Sequence, residues 1–255
     1  MQEKLKAFER ILGIMNELRE KCLWDRKQTM ESLRMLTIEE VYELSEAIIA
    51  NDMRAIKEEL GDLLLHIVFY SKIAEEKKAF DVAEMINTLC DKLIARHPHI
   101  YGDVKVQDED QVKQNWEKLK LKEGKKSVLE GVPASLPALI KAQRIQEKAR
   151  QVGFDWQHAG QVWDKVIEEM NELQCSVEKN DYEKNEEEFG DLLFALVNYA
   201  RFIRVNPETA LEKANSKFIQ RFNYMENKAA EQNRHLHEMT LEEMDAWWNE
   251  AKKIE

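Results

Sequence analysis

The sequence predicts an all-α protein made of two tandem helical-bundle modules. Only 8 glycines and 4 prolines occur in 255 residues, whereas these two residue types make up about 12% of an average protein. All-β sandwiches and barrels need turn residues about every 8–12 positions, so the composition disfavours them. Hydrophobic residues are 44% and charged residues 34% of the chain, which is typical of amphipathic helices and not of a disordered protein.

An internal repeat predicts that one helical module occurs twice. The segment IEEVYEL at 38–44 matches IEEMNEL at 167–173. The segment KEELGDLLLHIVFYS at 57–71 matches EEEFGDLLFALVNYA at 186–200. Both pairs of segments are separated by the same offset, and two independent matches at one offset indicate a duplicated unit.

The boundary between the two copies is predicted from glycine and proline. The segment 122–143 contains two of the eight glycines and two of the four prolines, which marks a break in the helical pattern. We therefore predict an N-terminal module over 1–122, a linker over 123–138, and a C-terminal module over 139–255.

Each copy is expected to form an antiparallel helical hairpin. Thr37 and Glu40 fit a capping box, which predicts a helix start near Thr37. Asn51-Asp52 and Asn180-Asp181 are turn residues, and the next helices are predicted over about 53–74 and 182–203. Short loops between helices favour antiparallel packing.

The hairpin arrangement brings four carboxylates together in each copy. Residues spaced i, i+3 share a helix face, so an ExxE pair on the first helix stands level with an ExxD pair on the second. The two quartets are Glu40, Glu43, Glu59 and Asp62, and Glu169, Glu172, Glu188 and Asp191. Asp62 and Asp191 lie in otherwise apolar helices, where burying an acid is costly. No Lys or Arg within either quartet offsets the repulsion, so the pattern favours a divalent cation.

The donor set predicts the metal. Carboxylates alone suit Mg²⁺, with Mn²⁺ as a substitute, and no calcium-loop or Glu-x-x-His di-iron pattern is present. Because Mg²⁺ commonly completes its shell with phosphate oxygens, a phosphorylated substrate is expected. Lys217 and Arg221, spaced i, i+4, are candidates to hold that phosphate chain.

Charge and cysteine content limit the remaining classes. The net charge of −11 argues against a broad nucleic-acid or membrane surface, and no apolar run approaches the roughly 20 residues of a membrane span. Three cysteines without CxxC spacing suggest a reducing compartment, and we expect a cytoplasmic protein. A single module would leave apolar helix faces uncovered, so a homodimer is expected.

At the level of longer motifs the sequence resembles the MazG family of nucleoside triphosphate pyrophosphohydrolases. The motifs are the EExxEL…EExGDLL core of both copies, CLWDRKQTMESL, RHPHIYGD, SVLEGVPASLPALIKAQRIQEKARQVGFDW and DAWWNEAK. The resemblance implies an all-α pyrophosphatase whose bundle is completed by dimerisation. It also implies Mg²⁺-dependent conversion of a nucleoside triphosphate and water to a nucleoside monophosphate and pyrophosphate, with broad base tolerance.

The resemblance also assigns roles to residues of the second copy. The implied metal ligands are Glu169, Glu172, Glu188 and Asp191. The implied nucleotide contacts are Lys165, Glu168, Lys217, Arg221 and Trp248, with Lys184 to Glu187 as a further lining segment. In the expected mechanism Glu168 or Glu172 accepts the proton of the attacking water, and Lys217 and Arg221 stabilise charge on the phosphates.

The two copies are expected to differ in activity. Asn198 and Ala195 stand where the first copy has Phe69 and His66, and a Trp-Trp segment follows only the second copy. These differences favour catalysis by the C-terminal module, with the N-terminal quartet either a structural metal site or a second active site. Two alternatives stay open at this point: a pyrophosphohydrolase narrow for dUTP, dCTP or phosphoribosyl-ATP, and a non-catalytic acidic helical scaffold.

Overall fold

The structure, a computed structural model, describes residues 1–106, 108, 111, 112, 115 and 127–254. These residues form α-helices, short 3-10 turns and loops, without a β-strand among them, in agreement with the predicted all-α class. The chain divides into two compact units, Met1–Gln111 and Val112–Glu255. The predicted boundary near 122 and the start of the predicted linker fall in 116–126, outside the described residues, and stay predictions.

The N-terminal unit contains five described helices. They are α1 (Gln2–Lys21), α2 (Met30–Ile49), α3 (Met53–Glu76), α4 (Val82–Arg96) and the short α5 (Pro98–Tyr101). The second and third helices form the predicted hairpin, and α1 and α4 pack against α3. The buried core of this unit consists of Met15, Leu33, Val68, Phe69 and Ile73.

The expected helix start near Thr37 is wrong, because α2 begins seven residues earlier. Thr29 is the N-cap residue: its side chain accepts a hydrogen bond from Ser32 N, and the Ser32 side chain accepts one from the Thr29 backbone. Thr37 lies inside the helix, where its hydroxyl contacts Leu33 O at 2.9 Å and Tyr70 Oη at 2.7 Å. A Thr-x-x-Glu pattern therefore occurs here without capping, because the upstream pair already satisfies the helix start.

The predicted turns are present in both copies and have the same geometry. Asn51 and Asn180 adopt left-handed conformations, with φ of 55° and 56°, which asparagine tolerates better than most residues. Asp52 and Asp181 then cap the following helices through their side chains. This pair of residues reverses the chain and fixes the register of each hairpin.

The C-terminal unit repeats the hairpin and adds helices around it. Its helices are α6 (Ala138–Gln151), α7 (Ala159–Glu178), α8 (Tyr182–Phe202), α9 (Pro207–Glu231) and α10 (Leu241–Ala251). The hairpin is α7 with α8; α6 packs against α8, and α10 packs against α9. Gln146 on α6 donates a hydrogen bond to Phe194 O at 2.8 Å, which ties α6 to the hairpin.

None of the helices in the described part of the chain is long and apolar enough to cross a membrane.

Candidate metal and nucleotide site

The C-terminal hairpin brings the predicted carboxylates together. Glu169 and Glu172 on α7 and Glu188 on α8 each place a carboxylate oxygen so that all three lie within 4.8 Å of one another. Asp191 lines the same cavity, which has a volume of about 530 Å³. The antiparallel register anticipated from the sequence therefore brings together three of the four expected carboxylates, and the fourth, Asp191, lines the same cavity. The assignment of these residues as metal ligands stays a prediction.

Two of these acids are buried, and lysines neutralise them. The side chains of Glu169 and Glu188 are each only 7% exposed. Lys165 Nζ lies 2.5 Å from Glu169 Oε1, and Lys184 Nζ lies 2.8 Å from Glu188 Oε1. The expectation that repulsion within the quartet is not offset is therefore wrong for this copy, because the offsetting cations lie one turn before each acid.

Each lysine also has a second, exposed acidic partner. Lys165 contacts Glu168 Oε1 at 2.8 Å, and Lys184 contacts Glu187 Oε2 at 3.2 Å. Hydrogen bonds to Glu168 and Glu169 raise the pKa of Lys165 above its usual value. Hydrogen bonds to Glu188 and Glu187 likewise raise the pKa of Lys184 above its usual value. Both ammonium groups are therefore firmly charged at neutral pH.

Glu172 differs from its neighbours in exposure. Its side chain is exposed, and no ion pair joins it to a cation among the described residues. Desolvation, followed by the carboxylates of Glu188 and Glu169, raises the pKa of Glu172. A carboxylate with a raised pKa is better suited to accept a proton than a strongly acidic one.

The aspartates of the two quartets are exposed, contrary to the expectation that they would be buried in apolar helices. Each helix also has accessible apolar side chains: Leu60 and Leu64 in α3 are 53% and 37% accessible, and Leu193 in α8 is 43% accessible. These leucines stand two residues from Asp62 or Asp191 and therefore lie on a different helix face from the aspartates.

The N-terminal hairpin forms a second cluster with the same backbone positions. Glu40, Glu43 and Glu59 place carboxylate oxygens within 4.8 Å of one another. Desolvation, followed by the charge of Asp62, raises the pKa of Glu40, and desolvation followed by Glu43 raises that of Glu59. At the offset of 129 residues, Leu36 and Ala55 stand where the C-terminal copy has its two lysines.

The remaining predicted nucleotide residues form a separate group on α9 and α10. The Arg221 guanidinium lies over the Trp248 ring, 5.4 Å from its centroid, and Phe218 packs against the same ring at 5.1 Å. Lys217 lies one turn before Arg221 on an exposed part of α9. These residues do not line the acidic cavity, so the described structure places the predicted site residues in two groups.

One of the sequence differences used to separate the copies, Asn198 in place of Phe69, has a packing explanation. Asn198 accepts hydrogen bonds from Arg201, which is paired with Asp155. The corresponding Phe69 belongs to the N-terminal core. Neither Asn198 nor Phe69 lies in an acidic cluster, so packing accounts for this one difference; catalysis by the C-terminal module stays a prediction.

Several cavity residues were not identified from the sequence. Cys175, Ser176, Lys179 and Asp181 all line the cavity of the C-terminal cluster. The ion pairs of Lys165 and Lys184 were also missed, although a signal was available. Lysine four residues before Glu169 and four before Glu188 is the i, i+4 spacing at which helical side chains meet.

Comparison with known proteins identifies the family. The MazG nucleotide pyrophosphohydrolase domain matches residues 28–101 and 157–225, which covers both hairpins. The chain is 47% identical to a protein of Thermotoga maritima named nucleoside triphosphate pyrophosphohydrolase/pyrophosphatase MazG, over 99% of this chain and 98% of that protein. It is 40% identical to the nucleoside triphosphate pyrophosphohydrolase of Escherichia coli K12, over 98% and 99% of the two chains.

A third relative is longer. The chain is 46% identical over its whole length to the uncharacterized protein YabN of Bacillus subtilis, of which it covers 54%. Two matched hairpins and extended similarity to proteins of equal length lead to one conclusion. The chain belongs to the MazG nucleotide pyrophosphohydrolase family and is an enzyme of that class, in its tandem form.

Proposed function

We propose that this enzyme hydrolyses nucleoside triphosphates to nucleoside monophosphates and pyrophosphate, with broad base tolerance and dependence on Mg²⁺. The observation that supports this most directly is the convergence of Glu169, Glu172 and Glu188 beside Asp191. Membership of an enzyme family disfavours the alternative of a non-catalytic scaffold. A phosphorylated substrate agrees with carboxylate ligands, which commonly share a divalent cation with phosphates.

The donor atoms of this cluster fit a hard divalent cation. All are carboxylate oxygens, and two of them belong to acids that are almost fully buried, where uncompensated charge would be costly. Glu169, Glu172, Glu188 and Asp191 would hold Mg²⁺, with Mn²⁺ as a substitute. When bound, the cation would polarise phosphoryl oxygens and lower the pKa of the attacking water.

The side chains supply the remaining chemistry. Hydrolysis breaks the oxygen bridge between the α- and β-phosphorus atoms, with water as the nucleophile and pyrophosphate as the leaving group. Glu172 or the exposed Glu168 accepts the proton that water loses. Lys217 and Arg221 would stabilise charge on the phosphates, and Trp248 would stack on the base.

The decisive experiment compares Glu172→Gln with Glu43→Gln. Pyrophosphate release is measured with mixed nucleoside triphosphates and Mg²⁺, and circular dichroism confirms that both variants are folded. We expect Glu172→Gln to lower kcat at least about 100-fold, since loss of a positioned base has effects of that order, and Glu43→Gln to have the smaller effect. Normal turnover by folded Glu172→Gln would show that the site is misassigned. A larger loss from Glu43→Gln would move catalysis to the N-terminal cluster.

Base tolerance is tested separately. A panel of ribo- and deoxyribonucleoside triphosphates, together with phosphoribosyl-ATP, is compared by kcat/KM. Values within about tenfold of one another support broad tolerance, because a single pocket contact discriminates substrates by about 10- to 200-fold. One nucleotide exceeding all others by more than about 200-fold would support the narrow alternative.

We also propose that the enzyme is a homodimer and works in the cytoplasm. Leu60, Leu64 and Ile67 of α3 form an exposed apolar row, and Phe189, Leu193 and Leu196 form the same row on α8. A row repeated at equivalent positions suits association with a second copy. Light scattering of the wild type should then give twice the chain mass of 30.1 kDa. The double variant Leu64→Glu with Leu193→Glu should give one chain mass, and a monomeric wild type would contradict the proposal.

The three free cysteines agree with the proposed cytoplasmic location, which is a reducing compartment.

A further inference from the structure

The two carboxylate clusters of this chain can be compared position by position. They share the same acids at an offset of 129 residues, but only the C-terminal cluster has lysines one turn before its acids. The N-terminal cluster has Leu36 and Ala55 at those positions. The two copies therefore differ in the positive charge beside otherwise equivalent acids.

Both lysines hold two carboxylates of unequal exposure. Lys165 bridges the buried Glu169 and the exposed Glu168, whose side chains are 7% and 56% accessible. Lys184 bridges Glu188 and Glu187, which are 7% and 63% accessible. A lysine with two partners retains a hydrogen bond to the exposed acid when a cation replaces it at the buried acid, so neither the lysine nor the buried acid is left unpaired.

The charge balance of the cavity indicates when the two lysines can leave the buried acids. The four carboxylates carry −4, and the two lysines reduce this to −2 while they are paired. A divalent cation on the same carboxylates supplies the two positive charges that the lysines supplied, so the ammonium groups can leave Glu169 and Glu188 while keeping their contacts with Glu168 and Glu187. The two lysines are in the same cavity and would then face an incoming polyanion.

We propose that Lys165 and Lys184 are exchangeable counterions: they neutralise Glu169 and Glu188 in the metal-free protein and are transferred to substrate phosphates once a divalent cation occupies the cluster. The idea rests on the function proposed above and deepens it. The N-terminal cluster lacks these lysines, so with one divalent cation it would carry two more negative charges than the C-terminal cluster and would repel a triphosphate. The two lysines thus decide which of two similar clusters accepts substrate.

The test measures metal affinity in the absence of nucleotide. Mn²⁺ binding is followed by electron paramagnetic resonance in full-length protein carrying Glu43→Gln, which weakens the N-terminal cluster. Because each lysine competes with the cation for a carboxylate, Lys165→Met and Lys184→Met should each bind Mn²⁺ about fivefold more tightly. Both variants should bind a non-hydrolysable triphosphate analogue more weakly.

Lys179→Met is the matched control. Lys179 lines the same cavity, but within the described residues no ion pair joins it to a carboxylate of the cluster. Its removal changes the charge equally and should alter Mn²⁺ affinity less than twofold. An equal gain from Lys179→Met would mean that only overall charge matters and would overturn the proposal, as would unchanged affinity in Lys165→Met and Lys184→Met.

A second measurement uses the protein without lysine substitutions. Nuclear magnetic resonance of the lysine Nζ groups should show the signals of Lys165 and Lys184 shifting on addition of Mg²⁺ alone, while that of Lys179 is much less affected. Static signals for both lysines, with Mg²⁺ bound, contradict the counterion exchange but leave the proposed function intact. Failure of the C-terminal cluster to bind any divalent cation contradicts the proposed function itself.

Discussion

The pair of Arg201 and Asp155 provides a quantitative test of how the C-terminal unit is held together. Arg201 on α8 binds both carboxylate oxygens of Asp155, one of them at 2.8 Å. The two side chains are only 12% and 19% exposed. Arg201 also donates to Asn198 Oδ1 at 2.7 Å. The pair therefore anchors the segment between α6 and α7 to the hairpin.

Replacing Arg201 with Met should destabilise this unit by about 2 kcal/mol. Removing one partner of a fully buried pair costs about 3–5 kcal/mol, whereas exposed pairs contribute about 0–1 kcal/mol. The exposure of the Arg201 and Asp155 side chains places their pair between these two limits and nearer to a buried pair. The expected value is reduced because Arg150 Nε lies 3.8 Å from Asp155 Oδ2 and retains part of the compensation.

The assay is urea unfolding followed by tryptophan fluorescence. Of the five tryptophans among the described residues, all except Trp24 lie in the C-terminal unit, so the signal reports mainly on that unit. Arg144→Met serves as a matched control, since the Arg144–Glu147 pair has a similar 2.8 Å distance but is 42% and 35% exposed; we expect a loss of about 0.5 kcal/mol or less. A loss from Arg201→Met no greater than that of the control would refute the reasoning.

Three further predictions concern the N-terminal core, the hairpin turn and acid stability. Leu33→Ala should cost about 2–5 kcal/mol, because Leu33 is 1% exposed within the N-terminal core; a loss below 1 kcal/mol by circular dichroism would show that the core is loosely packed. Asn180→Val should destabilise the C-terminal unit by about 1–2 kcal/mol, since φ is 56° there, while Asn180→Gly should be nearly neutral; equal effects in thermal unfolding would exclude backbone strain. A hydrogen bond from Arg19 lowers the pKa of Glu76 below its usual 4.5, so this stabilisation is present above pH 4.5 and is lost as the pH falls through the folded-state pKa. In Glu76→Gln the free energy of unfolding should therefore decrease less steeply at acid pH than in the wild type. An unchanged slope would contradict the assignment of this acid sensitivity to Glu76.

The sequence by itself determined the helical class, the duplication and the approximate position of the acids. The reason is that these features are periodic or local. A turn formed by Asn51 and Asp52 fixes the antiparallel register, and i, i+3 spacing then decides which carboxylates face each other. The helix expected from about residue 53 does begin at Met53, directly after the turn residues that were read from the sequence.

Only the tertiary structure decided burial, ion pairing and the separation of the site residues. Whether Glu169 is buried depends on how α7 packs against α8, and that burial is what makes its contact with Lys165 important. Likewise, Thr37 could cap a helix by its local pattern, but its hydroxyl instead contacts Tyr70 from the neighbouring helix. Local sequence specifies which side chains can meet; packing determines which of them do, since desolvation and partner distance are properties of the folded unit.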